Sequence, residues 1–393
     1  MYQTLEELIG AEDAARVIEF RHDLHRHPEI GMDTARTAEK IEAFLATLPV
    51  DHVERVERNG VVAVVRGTKE GPMIGLRGDI DALPIQDETH TGWESTVLGR
   101  GHLCGHDGHG AGILATAIYL TKHRDFAGSV ALIFQPGEEG FAGAQHMIED
   151  GLFEKFPCRE VFGIHGDPTQ PVGVISFRDG AMCASADIAE MVVEGKGGHG
   201  ARPHETIDPM PATANLLTAL QTIVSRNVDP NESAVVSCCY IHAGDPQAPT
   251  VIPQRVALSA TIRTFDTATQ DMIEKRFNEI CAGIGATYNC KVTLDYIRRY
   301  PAQINDGPLA RETMRILGDV MGKDAVRTVF PPAMGSEDFA FMTNALPGVY
   351  MKVGLRDAEH TALLHNPGFD FNDRALGVSV TAFAAIVKAR LPL

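Results

Sequence analysis

The sequence predicts an α/β protein with a smaller α+β unit inserted into its chain. Apolar strand-like segments alternate with helical segments over residues 60–168, and polar side chains cluster where those strands end. This alternation is typical of an open sheet flanked by helices, in which ligands bind at the carboxyl ends of the strands. Near Ala184 the pattern changes to the order β-α-β-β-α-β, which is typical of a ferredoxin-like unit.

The elements of the first part follow from hydrophobic periodicity and from Gly and Pro punctuation. Residues 5–48 are predicted to be helical, with a break near 27–31. The following segments are predicted as strands, with a helix over 108–123 between the second and the third: 60–67, 72–81, 129–140 and 160–168.

The inserted unit and the domain boundaries follow from the same periodicity. The predicted strands and helices of the unit are, in chain order, 187–195, helix 207–226, 234–244, 254–265, helix 269–289 and 291–301. After Pro301 the α/β pattern resumes with a helix over 307–321, a strand over 349–353 and a helix over 373–390. We therefore predict that residues 1–184 and 301–393 form one domain and that residues 185–300 form a second, inserted domain.

Composition excludes several classes of protein. Lys and Arg number 35 against 52 Asp and Glu, a net charge of −17, which argues against a nucleic-acid partner. No apolar run approaches the roughly 20 residues of a membrane span, so we expect no membrane partner. The acidic, helical N-terminus lacks the features of a signal peptide, which predicts a cytoplasmic protein. The seven cysteines form no paired framework and are expected to be thiols.

A Gly-rich loop at residues 101–110 is the strongest candidate for chemistry. It contains Cys104 and His106 two positions apart, so that both side chains can face one cavity. Thiolate and imidazole are preferred ligands of zinc and similar metals. His102 and His109 in the same loop are expected to have structural or supporting roles.

Two pairs of carboxylates lie at the ends of predicted strands. Glu138 and Glu139 are adjacent, so their side chains diverge and should have different tasks: one can bind a metal and the other can accept a proton. Asp79 and Asp81 lie two apart and point the same way, although such a pair is also typical of a solvated turn.

Four more residues are ambiguous when each is taken alone. His165 ends a predicted strand and His365 lies in a Pro- and Gly-containing loop; isolated histidines of this kind are more often structural than metal ligands. In the inserted unit, His199 lies in a Gly-rich loop and could polarise a substrate carbonyl. Arg263 could pair with a substrate carboxylate or form a surface or interdomain salt bridge.

Eight motifs resemble, in order, those of the aminoacylase/hippurate hydrolase family, which includes N-acyl-amino-acid amidohydrolases and plant indoleacetyl-amino-acid hydrolases. The motifs are RHDLHRHPEIG (21–31), LRGDIDALP (76–84), LCGHDGHGA (103–111), FQPGEEG (134–140), GIHGDP (163–168), GGHGARPH (197–204), GSEDF (335–339) and LHNPGFDFND (364–373). They extend over almost the whole chain, so the resemblance covers both predicted domains.

The resemblance implies a zinc-exopeptidase-like, three-layer α/β catalytic domain with an inserted lid that often mediates dimerisation. It implies a homodimer or a higher homo-oligomer formed through that lid. It also implies two divalent metal ions per subunit, commonly zinc, manganese, cobalt or nickel. The residues that match the family's metal ligands are Cys104, His106, Glu139, His165 and His365.

Further roles are implied for residues around the metals and on the lid. Glu138 matches the general acid/base, and Asp81 matches an acid that orients a ligand in related peptidases. Asp79 stands where those peptidases carry a ligand histidine. His199 resembles the lid histidine that reaches the substrate carbonyl, often from the partner subunit, and Arg263 resembles the arginine that grips the substrate carboxylate.

The sequence departs from the family at one predicted substrate contact. Thr250 precedes Val251-Ile252-Pro253, where relatives commonly have Asn. Gly166-Asp167 also replaces a bulkier pair after His165, which could reshape the pocket wall. The substrate is therefore less closely specified than the chemistry.

These observations predict a metal-dependent amidohydrolase acting on linear amides. We expect it to cleave N-acyl or N-aroyl amino acids to a carboxylic acid and a free amino acid, with a metal-activated water and Glu138 as general base. The first alternative is a dipeptidase or carboxypeptidase with the same two-metal site. A more remote alternative is a catalytically silent binding protein.

Overall fold

An eight-stranded sheet organises the larger part of the chain in the computed structural model, which describes residues 3–393. Two units are distinguished by their internal contacts. The large unit comprises the residues up to Met182 together with Ile304–Pro331 and Asp338–Leu393. The small unit comprises Cys183–Gln303 and Pro332–Glu337, so it is inserted into the chain of the large one.

The elements before the small unit are α1 (Leu5–Ile9), α2 (Ala11–Arg26), α3 (Ala35–Leu45), β1 (His52–Val56), β2 (Gly60–Arg66), β3 (Lys69–Asp79), α4 (His106–Lys122), β4 (Ala127–Gln135), α5 (Glu138–Phe141), α6 (Gly143–Glu149), α7 (Leu152–Lys155), β5 (Cys158–Pro171), β6 (Ile175–Phe177) and β7 (Gly180–Cys183).

The next elements are β8 (Ala186–Glu194), β9 (Gly198–His199), α8 (Pro209–Arg226), β10 (Ala234–Ala243), β11 (Val251–Ile252), β12 (Arg255–Thr264), α9 (Thr267–Tyr288) and β13 (Lys291–Tyr300). The last are β14 (Gln303–Asn305), α10 (Gly307–Met321), β15 (Val326–Thr328), α11 (Phe339–Ala345), β16 (Gly348–Arg356) and α12 (Arg374–Arg390).

The large sheet has the strand order β1-β2-β4-β3-β5-β16-β6-β15. Its centre is parallel: β3 pairs with β4 and β5, and β5 pairs with β16. Parallel pairing brings the carboxyl ends of these strands to one edge of the sheet, which is where open α/β sheets bind ligands. The α/β class predicted from the sequence is confirmed.

Helix α4 lies against this sheet and is almost completely buried, between α2, α12 and strand β3. A helix that is apolar on all sides is expected to occupy such an interior position. It begins at His106, directly after Gly105. Gly105 has a φ of +90°, a left-handed conformation that favours glycine, and this turn directs the preceding loop into the first turn of the helix.

The small unit is an antiparallel sheet with the order β10-β12-β8-β13, and helices α8 and α9 belong to the same unit. In chain order these elements are β-α-β-β-α-β, the ferredoxin-like arrangement expected from the sequence. Its core consists of apolar residues of the sheet and both helices, such as Met191, Leu216 and Phe277. Strand β10 lies at an edge of the sheet.

The sequence prediction was wrong at one segment next to the site. The strand predicted over 129–140 ends at Gln135. Pro136 has no N–H to continue the ladder, and Gly137 turns the chain with a φ of +69°. Glu138 and Glu139 therefore lie in a short helical turn and not in the strand.

Short strands such as β1, β6 and β15 were not predicted.

Within residues 3–393, no helix has both the length and the apolar composition that crossing a membrane requires.

Candidate metal centre

One edge of the large sheet brings together side chains that follow β3 and β4, a side chain within β5, the loop and first turn at the start of α4, and the loop before α12. The residues assembled there are Asp81, Cys104, His106, Glu138, Glu139, His165 and His365. All of them belong to the large unit. The sheet topology thus gathers residues that are up to 284 positions apart, from Asp81 to His365, on a few adjoining segments.

The predicted ligand atoms lie at distances that suit metal coordination. Cys104 Sγ is 3.4 Å from His165 Nε2, and Glu139 Oε1 is 3.3 Å from His365 Nε2 and 3.9 Å from His106 Nε2. Tetrahedral ligands at about 2.0–2.3 Å from a metal have donor atoms about 3.3–3.8 Å apart. The observed spacing is close to that range.

Two of these atoms are buried without a hydrogen-bond partner in the described part of the chain. His106 Nε2 and Glu139 Oε1 are buried, and neither makes a well-formed hydrogen bond. A buried polar atom without a partner costs free energy unless a ligand satisfies it. The site therefore fits a metal ion on the chemistry of its own atoms.

The histidine rings are oriented by hydrogen bonds on their other nitrogen. Nδ1 of His106 lies 3.2 Å from Asp81 Oδ1, and Nδ1 of His165 lies 2.8 Å from the carbonyl oxygen of Gly166. When each Nδ1 donates, Nε2 keeps its lone pair for a metal. This carboxylate–histidine or carbonyl–histidine pairing is the usual support of a metal-ligating imidazole.

Burial and neighbouring side chains set the protonation of three of these groups. It lowers the pKa of His165 well below its ordinary value and keeps the imidazole neutral. Burial also raises the pKa of Glu139, but His365 and His106 outweigh it, so the pKa is below the ordinary value and the carboxylate is ionised. Burial raises the pKa of the Cys104 thiol, so this ligand must release its proton when a metal binds.

The turn after Pro136 separates the two adjacent glutamates. Glu139 has a ψ of 66°, so the chain leaves the helical path at this residue. The Asp81 carboxylate accepts the backbone N–H groups of Glu138 and Glu139, both at 3.1 Å. Glu138 is buried, and its Oε1 accepts the backbone N–H of Asp338 at 3.3 Å. One aspartate thus positions the proposed base and a proposed ligand together.

A second group of potential donors consists of Asp79, His106, His109 and His165. His109 is engaged on both ring nitrogens: Nδ1 bonds to Asp79, and Nε2 accepts the Gly166 N–H at 2.8 Å. Asp79 also accepts from Arg77 Nη1 at 2.8 Å. Asp79 and His109 therefore support the backbone around His165.

Sequence reasoning missed the buried network behind Glu138. Arg77 is fully buried and donates to Asp79, to Gln135 and to the Asp338 carboxylate at 3.0 Å. Asp338 also accepts from Gln135 Nε2 and from the Ala144 N–H. The sequence did contain a signal for this network, namely the charged Arg77 within an apolar strand. A buried arginine needs carboxylate partners, so its presence indicates acidic residues nearby.

The N-terminal motif supplies a second buried network. His25 Nδ1 lies 2.8 Å from Asp107, the residue after His106, and Arg21 Nη1 lies 3.2 Å from the same carboxylate. His25 Nε2 lies 3.2 Å from Asp87. This motif therefore holds the first turn of α4 in place through Asp107.

The three predicted lid residues belong to the small unit. Strand β9 pairs with β11 so that His199 is opposite Val251, and the N–H of Gly200 donates to the Thr250 carbonyl at 2.7 Å. His199 and Thr250 are thus neighbours, and both are exposed. Arg263 lies on β12, half-buried, and donates to the Ile262 carbonyl at 2.9 Å.

Comparison with known proteins shows the family of this chain. The sequence profile of peptidase family M20/M25/M40 matches residues 75–389. The chain is 36% identical to hippurate hydrolase of Campylobacter jejuni over 366 residues, 93% of this chain and 94% of the relative. It is 35% identical to N-acetylcysteine deacetylase of Bacillus subtilis over 373 residues, 94% of this chain and 96% of the relative.

A solved structure has the same fold. A dinuclear metal-binding peptidase of the M20 family from Bacillus subtilis aligns with a TM-score of 0.82 and 32% identity, over 96% of this chain and 98% of that one. The resemblance inferred from the eight motifs is confirmed. The chain belongs to peptidase family M20/M25/M40.

Proposed function

We propose that this protein is a metal-dependent amidohydrolase that cleaves N-acyl or N-aroyl amino acids to a carboxylic acid and a free amino acid. The observation that carries the proposal is the buried donor set at the sheet edge, with a separate buried carboxylate, Glu138, beside it. The names of the relatives, a hippurate hydrolase and an N-acetylcysteine deacetylase, support the same reaction on the same class of bond.

The proposed cofactor is a pair of divalent metal ions per subunit, of zinc, manganese, cobalt or nickel. The proposed ligands are Cys104, His106, Glu139, His165 and His365. Their thiolate, imidazole and carboxylate groups suit these metals. A structural neighbour described as a dinuclear metal-binding peptidase supports the number of ions.

Bound metals would polarise the scissile carbonyl and acidify the attacking water. Glu138 removes a proton from that water as it attacks the amide carbon, and then returns the proton to the leaving amine. Asp81 holds Glu138 in place by accepting its backbone N–H. Burial of the Glu138 carboxylate keeps bulk water from competing for the proton.

The proposed roles in the small unit follow the family resemblance. His199 would stabilise the oxyanion, Arg263 would bind the substrate carboxylate, and Thr250 would contact the substrate. A preorganised donor at an oxyanion contributes about 3 kcal/mol in well-studied enzymes. The adjacency of His199 and Thr250 in the small unit supports a shared substrate-contacting surface.

A homodimer or higher homo-oligomer through the small unit is also proposed. Strand β10 is an edge strand with exposed Tyr240 and Ile241, and an edge strand presents unpaired backbone groups to a second copy. Light scattering on the purified protein measures the subunit number. A monomer at all concentrations would contradict this proposal.

Subunit mixing tests whether His199 acts on the partner's substrate. Inactive His199→Ala and Glu138→Gln proteins are mixed and allowed to exchange subunits, and recovered activity indicates action across the dimer. No recovery after proven exchange, shown with differently tagged chains, would place His199 and Glu138 function within one subunit.

A substrate panel on metal-reconstituted protein tests the proposed reaction. The panel contains hippurate, N-acetyl amino acids, dipeptides and C-terminally extended peptides, with both products identified. Release of benzoate or acetate supports the amidohydrolase. Exclusive cleavage of peptides would favour the alternative of a dipeptidase or carboxypeptidase, and no turnover with full metal occupancy would favour a binding protein.

A further inference from the structure

A cavity of about 570 Å³ lies in the large unit, beside strand β5 and its metal-ligand candidate His165. Its walls come from segments 167–170 and 327–331, from one residue each of β6 and β16, and from two residues of the loop before α12. None of the residues assigned to the reaction above lines this cavity. It is therefore a separate recess within the unit that holds the metal centre.

Strand register places the polar wall of the cavity in one row with His165. Lys352 on β16 is the register partner of His165 on β5 and of Ser176 on β6, and Ser176 is the partner of Arg327 on β15. Register partners project to the same face of a sheet. Adjacent strands are about 4.8 Å apart. Lys352 therefore lies on the strand next to that of His165, and Arg327 lies three strands, or about 14 Å, away from it.

Two polar groups of this row, Lys352 and Ser176, lack partners among the described residues. Among residues 3–393, no carboxylate lies within 4.0 Å of Lys352 Nζ, although the side chain is partly buried. Ser176 Oγ is buried and has no hydrogen-bond partner. Arg327 donates to the neutral Gln170 at 3.0 Å. The recess thus combines an unpaired lysine and an unpaired hydroxyl with an arginine whose partner is a neutral amide.

The acidic residue of the cavity wall, Asp167, already accepts hydrogen bonds from Thr169. Asp167 accepts the backbone N–H of Thr169 at 2.9 Å and its hydroxyl at 2.6 Å through the same oxygen. With two cations and one anion, the lining has a formal charge of +1 in a chain whose net charge is −17. A locally positive recess in an acidic protein favours an anionic ligand.

We propose that this cavity is a subsite for a carboxylate that the substrate carries in addition to the α-carboxylate of its amino acid. This inference rests on the proposed amidohydrolase function and specifies its substrate class. Lys352 and Ser176 bind the carboxylate, and Arg327 adds long-range attraction from the outer end of the row. The apolar side chains of Phe330, Leu363 and Leu364 face the same cavity and contact the methylene groups that lead to it.

Two substrate pairs distinguish where the extra carboxylate is located. N-succinyl-leucine against N-acetyl-leucine tests the acyl arm, and N-acetyl-glutamate against N-acetyl-glutamine tests the amino-acid side chain. We expect the dianionic member of one pair to be preferred in kcat/KM. The pair that shows the preference identifies the source of the carboxylate.

The variants Lys352→Met and Lys352→Arg test the residue responsible. Lys352→Met removes the charge and keeps most of the volume, so it should lower kcat/KM for the preferred dianion roughly 10- to 100-fold, mainly through KM, and change the monoanion little. Lys352→Arg should restore most of the preference. Lys323→Met, an exposed lysine outside the cavity, is the matched control.

A binding measurement keeps the subsite separate from turnover. Calorimetric titration with glutarate and with butyrate should show stronger binding of the diacid, and this difference should disappear in Lys352→Met. An equal loss of kcat/KM for every substrate in Lys352→Met would overturn the proposed subsite. So would an active wild-type enzyme that shows no preference for either dianion. Failure to cleave any N-acyl amino acid would instead overturn the proposed function.

Discussion

The Asp81 carboxylate lies 3.2 Å from Nδ1 of His106 and thereby determines which nitrogen of that ring faces the proposed metal ligands. The same carboxylate accepts the N–H groups of Glu138 and Glu139. One buried side chain thus orients a proposed metal ligand from each of two segments and the proposed general base. Removal of this carboxylate should therefore weaken metal binding more than it destabilises the fold.

Asp81→Asn should weaken metal binding. An amide cannot accept with the strength of a carboxylate, so the His106 ring and the Glu138–Glu139 turn lose their common anchor. Loss of such a supporting group typically costs 10- to 100-fold in metal affinity. Competition with a fluorescent chelator measures the change, and Asp295→Asn on exposed strand β13 is the control. Unchanged affinity in Asp81→Asn would contradict the assigned role.

Glu138→Gln should abolish most turnover while metal content stays the same. The amide is nearly isosteric but cannot take a proton, and general-base catalysis typically contributes about 10²- to 10⁴-fold. Activity on the best N-acyl substrate and elemental analysis are measured on the same preparation. Glu149→Gln, an exposed glutamate at the end of α6, should behave as wild type. Substantial activity in Glu138→Gln would mean that another group is the base.

Cys104→Ala should lower the amount of metal bound per chain, because the thiolate is one of the proposed ligands. The comparison is Cys239→Ala, a cysteine that is exposed on strand β10 of the small unit. Elemental analysis after dialysis gives the stoichiometry. A thiol oxidant applied to the metal-free protein should prevent its reactivation by added metal, whereas the metal-loaded protein should keep its activity. Equal stoichiometry in both variants would remove Cys104 from the ligand set.

The sequence predicted the fold most reliably where long elements show strong periodicity. Helix α4 and strand β2 were predicted to within two residues at each end, because each is an unbroken apolar segment between Gly or polar residues. Short strands such as β6, of three residues, carry too little periodicity to be recognised. Their pairing depends on the neighbouring strands and not on their own residues.

The candidate site was predictable to the extent that its residues lie in motifs. Cys104 and His106 are recognisable because thiol and imidazole groups two positions apart in a Gly-rich loop are typical of a metal site. Asp338 was not recognised, because its role depends on a contact with Arg77 from a segment 261 positions away. Which of two ring nitrogens is free, as in His106, likewise appears only when the structure is formed.

The buried pair of His25 and Asp107 should make stability depend on pH in the alkaline range. Burial lowers the pKa of His25, but Asp107 and Asp87 outweigh it and raise the pKa from 6.5 to about 9. A group with a raised pKa in the folded state contributes its full stability below pH 6.5 and loses it as pH rises through 9. The shift corresponds to about 3 kcal/mol.

Calorimetric unfolding of wild type at constant metal concentration should therefore show a falling Tm between pH 6.5 and 9. His25→Gln keeps a hydrogen-bond donor to Asp107 but cannot become charged, so its Tm should be lower at pH 6.5 and nearly independent of pH up to 9. His123→Gln, at the other end of α4, should keep the wild-type slope. If wild type and His25→Gln have parallel profiles, His25 is not charged in the folded protein.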